Sequence, residues 1–517
     1  MAGPRNDKSE PTRAYQPPRR TRPATGAPAT PPGPSEALLQ RHGAKVLRPG
    51  EAVPTADGVA VQPTVYRSGT MLVTAQDFAD PQFRTFLRDT LDDSGFGWDE
   101  GDDARGGPAV RTLHLQPLPD RLPDRPADGW RSLQQLRFLA RGTRNEAPAA
   151  RMSVEHLLFG SVAGPITGDP VTEGHPVTEG HSLPDAALSN VGRVAVNVIA
   201  GAPPRRPASG LTAGRRPLVA VLDTGCGLHP WLDPAVAGQE DFLVDPSVAG
   251  WSGASIPDPE TGGGLLAPLL GELDSHSGHG TFIAGIVRQI APDARVLPLR
   301  IMYSDGVVHE GDLLNALAAI RDLARAGKPE VFPDVVSLSL GYYDERPEDT
   351  AYTSILSTLL WELGDLGVAV VAAAGNDATS RPLFPAALGG AANAPAVPLV
   401  SVGALNPNGT RAIYSNEGPW VTVWAPGSAI ISTFPTTFRG SRSPGLEVGT
   451  PILREGLDPD DYSGGFGRWT GTSFAAPVLA ARLARSLSAC GKGVLAPVDP
   501  VAAAARVHDA LGEVLAP

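Results

Sequence analysis

Five continuous apolar runs, each as long as a β-strand, dominate the region between residues 217 and 490 of this 517-residue chain. The runs read LVAVLD, ARVLPLRI, DVVSLSLG, GVAVVAAAGN and VPLVSVGAL. Segments with the apolar period of a helix, such as HGTFIAGIVRQI and GDLLNALAAIRDLARAG, fall between several of them. Apolar strands separated by helices are typical of a parallel sheet. The sequence therefore predicts an α/β, three-layer domain whose mostly parallel sheet is covered by helices on both faces.

The region before this domain has a different pattern. TVYRSGTMLVTA and AVRTLHLQPL read as strands, DPQFRTFLRDTL and DGWRSLQQLRFLAR as helices, and GRVAVNVIAG as a further strand. This order predicts a small α+β N-terminal module. We therefore expect five segments: a disordered Pro- and Arg-rich tail (1–36), the module (40–200), a linker (201–216), the α/β domain (217–490) and a helical C-terminal extension (491–517).

Charge and composition exclude several classes of protein. The formal net charge of −12 argues against a nucleic-acid partner, because phosphate binding needs a concentrated positive surface. The two cysteines, Cys226 and Cys490, cannot form a disulfide framework. No apolar run approaches the ~18 residues of a membrane span, and the N-terminus lacks the apolar core of a secretory signal. We therefore expect no membrane association and a cytoplasmic location.

Four polar residues follow or precede the predicted core elements. Asp223 ends the first apolar run, Asn376 ends the fourth, and His279 and Ser473 each open a helical segment. Taken singly, each has an ordinary structural interpretation: a turn cap for Asp223, a turn residue for Asn376, a neutral core histidine for His279 and a helix N-cap for Ser473. Taken together, they supply what acyl transfer requires: a hydroxyl, an imidazole base, a carboxylate to orient it and an amide donor for the oxyanion.

The motifs around these residues resemble those of the subtilisin-like serine proteases. VLDTGCG, SGHGTFIAG, SLSLG, AAAGN, YSNEG, WAPG and GTSFAAP occur in that family's order over about 270 residues. The resemblance implies a serine endopeptidase in which Ser473 is the nucleophile, His279 the general base and Asp223 its partner. Asn376 and the Ser473 N–H would form the oxyanion hole.

The resemblance also implies how substrate binds. A protein or peptide substrate would add as a strand beside Ser339, Leu340 and Gly341, and Gly375 would border the first specificity pocket. Catalysis would need no cofactor. Members of the family often bind structural calcium, but no calcium site can be assigned to particular residues of this sequence.

The chain departs from the family pattern at several places. Phe282 replaces a frequent histidine, which should alter packing only, and Ser337 replaces the usual asparagine, a change whose effect the sequence does not show. No reactive role is expected for Cys226, because a neighbouring buried carboxylate would raise the pKa of its thiol. Residues 434–468 form a long insertion rich in Gly, Pro and Asp, which suggests a rim loop or a lid.

The repeat PVTEGH, which occurs twice between Pro170 and His181, contains two possible metal ligands, His175 and His181. A duplicated linker segment explains them better, since no cysteine lies near them on a Pro- and Gly-rich loop. We predict no metal site here.

The function of residues 40–200 has two interpretations. They have roughly the element order of the family's inhibitory prodomain, but the linker shows no clear cleavage site and no signal precedes them, which favours a retained module that regulates the enzyme or binds a partner protein. For the whole chain, the alternatives to an endopeptidase are a catalytically silent scaffold and a protease directed to one partner by this module. The presence of Asp223, His279, Asn376 and Ser473 argues against the silent scaffold.

Overall fold

A computed structural model gives the structure of the chain. It describes residues 34–99, 109–120, 123, 125–161, 193–198, 200–211, 215–236, 238–252, 256–266, 273–346, 354–391, 394–439, 447–449, 452, 454–455, 461–489 and 498–515. Nearly all of the predicted tail, and the PVTEGH repeat with His175 and His181, lie outside the described residues.

The N-terminal module is an antiparallel sheet packed against helices. Its elements are α1 (Glu36–Arg41), β1 (Ala44–Leu47), β2 (Thr64–Thr74), α2 (Ala75–Ala79), α3 (Pro81–Asp93), β3 (Phe96–Asp99), β4 (Val110–Pro117), α4 (Gly129–Ala140), α5 (Glu146–Arg151) and β5 (Ser153–Gly160). The strand order is β5–β2–β4–β3, and β1 pairs with the first half of β2. Apolar side chains of β2, β4, α3 and α4 form one buried core between the sheet and the helices.

The remaining elements form the larger domain. They are β6 (Val194–Ala195), β7 (Leu218–Asp223), α6 (His279–Ile290), β8 (Arg295–Arg300), β9 (Val307–His309), α7 (Glu310–Arg325), β10 (Pro333–Leu338), β11 (Leu340–Gly341), α8 (Ile355–Asp365), β12 (Ala369–Ala373), β13 (Val400–Leu405), β14 (Val423–Pro426), β15 (Ile430–Thr433), β16 (Glu447–Val448), β17 (Arg454–Glu455), β18 (Phe466–Trp469), α9 (Thr472–Ala489) and α10 (Pro500–Leu515).

A six-stranded parallel sheet forms the centre of this domain, in the order β14–β13–β12–β10–β7–β8. Successive residues of each strand face opposite sides. Val219 and Val221 pack into the core that contains α6, α9 and α10, whereas Leu218, Ala220 and Leu222 pack into the core that contains α7 and α8. Two apolar cores on the two faces confirm the predicted fold class.

Two sequence-based assignments differ from the structure. GRVAVNVIAG was expected to be a strand of the module, but its described strand is only β6, which pairs with β18 of the larger domain. The apolar core of that domain also extends beyond residue 490, because Val507 and Leu511 of α10 are buried in it. The larger domain therefore includes β6, which precedes the predicted start at residue 217, and α10, which follows the predicted end at residue 490.

The ends of the 434–468 insertion are anchored in the core. Phe434, Phe438 and Tyr462 are almost completely buried, and Phe434 stacks on Trp469. Most of the insertion between residues 440 and 460 lies outside the described residues. Its role as a rim loop or lid stays a prediction.

The module joins the larger domain through β5, which the sequence did not reveal. One part of β5 pairs with β2 of the module, while its last residues pair antiparallel with β9 and β11. The opposite face of the module sheet also packs on α7, since Leu72 and Leu158 belong to the same apolar core as Leu313 and Leu314. The module is therefore built into one edge of the larger domain.

Candidate active site

Asp223 and His279 meet at the carboxyl end of the central sheet. Asp223 is the last residue of β7, and His279 is the first residue of α6. Both are completely buried, and His279 Nδ1 lies 2.8 Å from Asp223 Oδ1. The same carboxylate oxygen accepts the backbone N–H of Thr224 at 2.8 Å. These bonds fix the imidazole with Nε2 directed away from the carboxylate.

Aromatic side chains surround the imidazole. Trp469 and Phe474 lie with their ring centroids 5.4 and 5.3 Å from that of His279, and Phe282 packs against both of them. The turn before the histidine needs Gly278, which has φ +84° and whose Cβ would lie 2.7 Å from Phe434. Phe282, which stands where the family frequently has a histidine, thus packs among these aromatic rings.

Ser473 lies in the first turn of α9. Pro477 has no N–H to bond the carbonyl of Ser473 four residues earlier, and the hydroxyl of Ser339 donates to that carbonyl at 2.9 Å instead. The Ser473 hydroxyl in turn donates to the carbonyl of Ser339 at 3.2 Å. His279 Nε2 is buried and has no hydrogen-bond partner among the described residues. In this structure the Ser473 hydroxyl is therefore bonded to Ser339 rather than to His279.

Asn376 is held through its side-chain oxygen. Its Oδ1 accepts the backbone N–H and the hydroxyl of Thr472, both at 3.0 Å. Its Nδ2 is buried without a partner among the described residues. Because a buried amide without an acceptor is costly, this donor is a candidate for binding a substrate oxygen.

A segment of the module occupies the cleft at Ser473. The carbonyl oxygen of Ser161 accepts the backbone N–H of Ser473 at 3.0 Å. The N–H of Ser161 donates to Ser339 at 3.0 Å, and that of Gly160 donates to Gly306 at 2.8 Å. A peptide carbonyl therefore lies on one donor of the candidate oxyanion hole, with the preceding residues paired as an added strand.

The residues expected to wall the substrate site lie beside this segment. Leu340 and Gly341 form β11 and pair with the end of β5. A Cβ on Gly341 would lie 2.6 Å from Leu383, and one on Gly375 would lie 2.4 Å from Asn416. Gly375 also has φ +99°, which favours glycine. The structure thus brings all eight sequence-predicted site residues to one edge of the sheet.

The chain matches the subtilase family over residues 214–510. The chain belongs to the subtilase family. Thermitase of Thermoactinomyces vulgaris is 30% identical over 234 residues, which are 45% of this chain and 70% of that protein. An extracellular protease of Xanthomonas campestris is 28% identical over 295 residues, 53% of this chain and 44% of that protein. This subtilase therefore spans less than half the length of the Xanthomonas relative.

Among solved structures, fervidolysin from Fervidobacterium pennivorans, a keratinolytic enzyme related to subtilisin, is similar to this subtilase with 18% identity and a TM-score of 0.42. The match covers 82% of this chain and 55% of that one. Relatives of this chain include proteases named extracellular and one named intracellular, so the cytoplasmic location stays a prediction. None of the helices in the described part of the chain is long and apolar enough to cross a membrane.

Sequence analysis missed a buried carboxylate beside the Asp–His pair of this subtilase. Glu260 accepts the hydroxyls of Thr224 and Thr281, the latter at 2.5 Å, and these threonines are close neighbours of Asp223 and His279 in sequence. Burial raises the pKa of Glu260 to about 7, although the two hydroxyls oppose the shift. No local pattern marks Glu260, because its role depends on contacts with distant segments.

Cys226 is close to the same carboxylate. Burial raises the pKa of its thiol far above the ordinary value, and the charge of Glu260 adds to the effect. The carboxylate concerned is thus Glu260 rather than Asp223, and burial is the larger cause. Within the described ranges, no group of three or more His, Cys, Asp or Glu side chains is arranged to hold a metal ion. Calcium binding stays a prediction without an assigned site.

Proposed function

We propose that this subtilase is a serine endopeptidase that cleaves extended peptide segments through an acyl-enzyme. Ser473 is the nucleophile, His279 the base and then the acid, and Asp223 orients the imidazole. Asn376 Nδ2 and the Ser473 N–H stabilise the oxyanion. The proposal combines the family membership with the geometry at the carboxyl end of the sheet.

One observation carries the proposal: the carbonyl of Ser161 accepts the N–H of the nucleophilic residue itself. A silent scaffold gives no reason for a peptide carbonyl to lie on that donor while a second buried donor, Asn376 Nδ2, has no partner among the described residues. The antiparallel pairing of β5 with β11 aligns the chain on the acyl side of that carbonyl. The arrangement is that of an extended substrate in front of Ser473.

The chemistry follows from these positions. As Ser473 Oγ attacks the carbonyl carbon, His279 Nε2 takes its proton, and the imidazolium is stabilised by Asp223 at Nδ1. The carbonyl oxygen becomes an oxyanion held by the Ser473 N–H and Asn376 Nδ2. His279 then gives its proton to the leaving amine. A water molecule, deprotonated by His279, hydrolyses the ester and releases Ser473.

The position of residues 157–161 in front of Ser473 favours an inhibitory function for the module over recruitment of a partner protein. While residues 157–161 fill the cleft, no other peptide can pair with β11. Cleavage of the bond between Ser161 and Val162 would turn the segment into a product that leaves the cleft when the module undocks. The full chain is thus an enzyme blocked in cis that is activated by cutting this bond and releasing the module.

Labelling of the full chain with a fluorophosphonate probe tests the function. The wild type should label as its Ser161–Val162 bond is cut, and Ser473→Ala should show neither reaction. Asn376→Ala should label and cleave about 100- to 1,000-fold more slowly, as is usual when one oxyanion-hole donor is removed. A folded wild type that neither labels nor cleaves any peptide would establish the silent scaffold instead.

A further inference from the structure

The imidazole of His276 is wedged between two glycines, one from each part of the molecule. His276 is buried, and a Cβ on Gly160 of the module would lie 2.6 Å from its Cδ2 and Nε2. A Cβ on Gly306 would lie 2.3 Å from Cε1 and Nδ1 of the same ring. Outside its own residue and its chain neighbours, a Cβ atom essentially never has a heavy atom within 3.0 Å. The ring therefore leaves no room for a side chain at either position.

Neighbouring groups hold this ring in place. The backbone N–H of His276 donates to the carbonyl of Ser304 at 2.8 Å, and Ser275 Oγ lies 2.9 Å from His276 Nδ1. The ring of His279 packs edge-on at 5.6 Å between centroids. Since protein interiors are close-packed, the imidazole cannot withdraw without disturbing the catalytic histidine beside it.

Backbone conformation does not account for glycine at position 160. Gly306 has φ +84°, a left-handed conformation that favours glycine by itself. Gly160 ends a regular strand and is not among the described residues with positive φ. An alanine could adopt its backbone angles, so contact with His276 is what excludes a side chain there, since the next neighbour, the end of the flexible Met302 side chain, lies farther away at 3.2 Å.

The alignment of β5 with Ser473 shows which substrate position the exclusion of a side chain at Gly160 would affect. The carbonyl at Ser473 belongs to Ser161, so Gly160 is the second residue on the acyl side of the bond to be cut. We propose that His276 is a specificity-determining residue that restricts this substrate position to glycine, so that the enzyme cleaves after Gly–Xaa pairs. This inference rests on the endopeptidase function proposed above.

Self-cleavage of the full chain tests the inference as a double-mutant cycle. Gly160→Ala should slow cutting between Ser161 and Val162 by roughly 10- to 100-fold, the effect of overpacking a buried position. In a His276→Ala background the same Gly160→Ala change should cost less than threefold, because the cavity accepts the methyl group. Intact-mass spectrometry against time measures all four rates.

Gly201→Ala is the matched control, because Gly201 has no atom within 4 Å of its Cβ position and no positive φ. It should cleave at the wild-type rate. The processed wild type should also cleave a peptide containing Leu-Leu-Phe-Gly-Ser-Val after its Ser in preference to one containing Leu-Leu-Phe-Ala-Ser-Val, by a similar factor, and His276→Ala should reduce that ratio. Equal use of the two peptides by an enzyme that labels with fluorophosphonate would overturn the inference alone. Absence of both labelling and cleavage would overturn the proposed function with it.

Discussion

Two buried clusters of three charges join parts of this molecule, and their charge patterns are opposite. In one, Asp334 lies between Arg215 and Arg506, with all three side-chain contacts at 2.7 Å. In the other, His156 of β5 lies 2.7 Å from Glu310 and 2.8 Å from Glu345. The first cluster joins the segment before β7, β10 and α10 within the larger domain. The second joins the module to that domain.

The central residue decides how each cluster responds to pH. Burial of Asp334 opposes ionisation, but Arg215 and Arg506 outweigh it and lower its pKa, so its charge is constant near neutrality. Burial likewise opposes protonation of His156, but Glu310 and then Glu345 outweigh it and hold its pKa well above the ordinary value. Arginine does not deprotonate in this range, whereas histidine does. The cluster within the larger domain therefore keeps its charges near neutral pH and is called the permanent cluster below. The cluster that joins the module loses the charge of His156 as the pH rises and is called the reversible cluster.

Breaking the permanent cluster should have the largest effect on stability. Asp334→Asn leaves two buried arginines without a counter-charge, which should lower the free energy of unfolding by about 3–5 kcal/mol. Urea unfolding in the Ser473→Ala background, which prevents self-cleavage, measures the change. A loss below 1 kcal/mol would show that the arginines find water or other partners.

The reversible cluster should give a smaller and more local effect. Glu345→Gln leaves His156 with one carboxylate and should weaken docking of the module by about 1.5–3 kcal/mol, the range for a hydrogen bond to a charged group. Hydrogen exchange of the β5 amides should accelerate, while the central sheet keeps its protection. Equal acceleration in β5 and β12 would mean that the two parts unfold together.

The larger domain could be predicted from the sequence more easily than the contacts that join the module to it. The strands of the central sheet are apolar on both faces, so a local run of residues identifies each of them. Asp223 ends one of these strands, His279 and Ser473 lie at the start of helices, and all three fall within motifs of the family. Their assignment needed no knowledge of distant contacts.

The module joint could not be predicted in this way. β5 contains the buried polar residues Glu155 and His156, which break an apolar pattern, and Glu310 and Glu345 lie more than 150 residues away from His156. His276 and Glu260 were likewise missed. His276 contacts Gly160 and Glu260 contacts Thr224 only in the folded chain, so no local pattern identifies either residue.

Docking of the module should depend on pH through His156, whereas the cluster around Asp334 should not respond near neutral pH. Because docking raises the pKa of His156, its contribution is complete below the undocked value of about 6.5 and is lost as pH rises through the docked value. Docking should weaken by up to about tenfold per pH unit in that window. Exchange of the β5 amides, corrected for intrinsic rates, should therefore rise from pH 6 to pH 9, while β12 stays protected.

Other groups facing His156 require a control. Tyr342 packs its ring 4.6 Å away between centroids, and burial together with Glu345 raises the pKa of Asp344 to about 7. Asp344 therefore acts in the same direction as His156 up to that pH. His156→Gln should remove the dependence above pH 7 and leave the part due to Asp344. A profile unchanged in this variant would contradict the assignment to His156.

An exposed ion pair across the same joint should have the smallest effect. Asp57 of the module pairs with Arg346, and its pKa falls to about 2 although burial opposes the shift. The Asp57 side chain is 47% exposed, so water screens the pair and Asp57→Asn should weaken docking by no more than about 1 kcal/mol. The same exchange measurement applies. If this variant released β5 as strongly as Glu345→Gln, burial of the cluster around His156 would not be what holds the module, and general charge complementarity across the joint would explain docking instead.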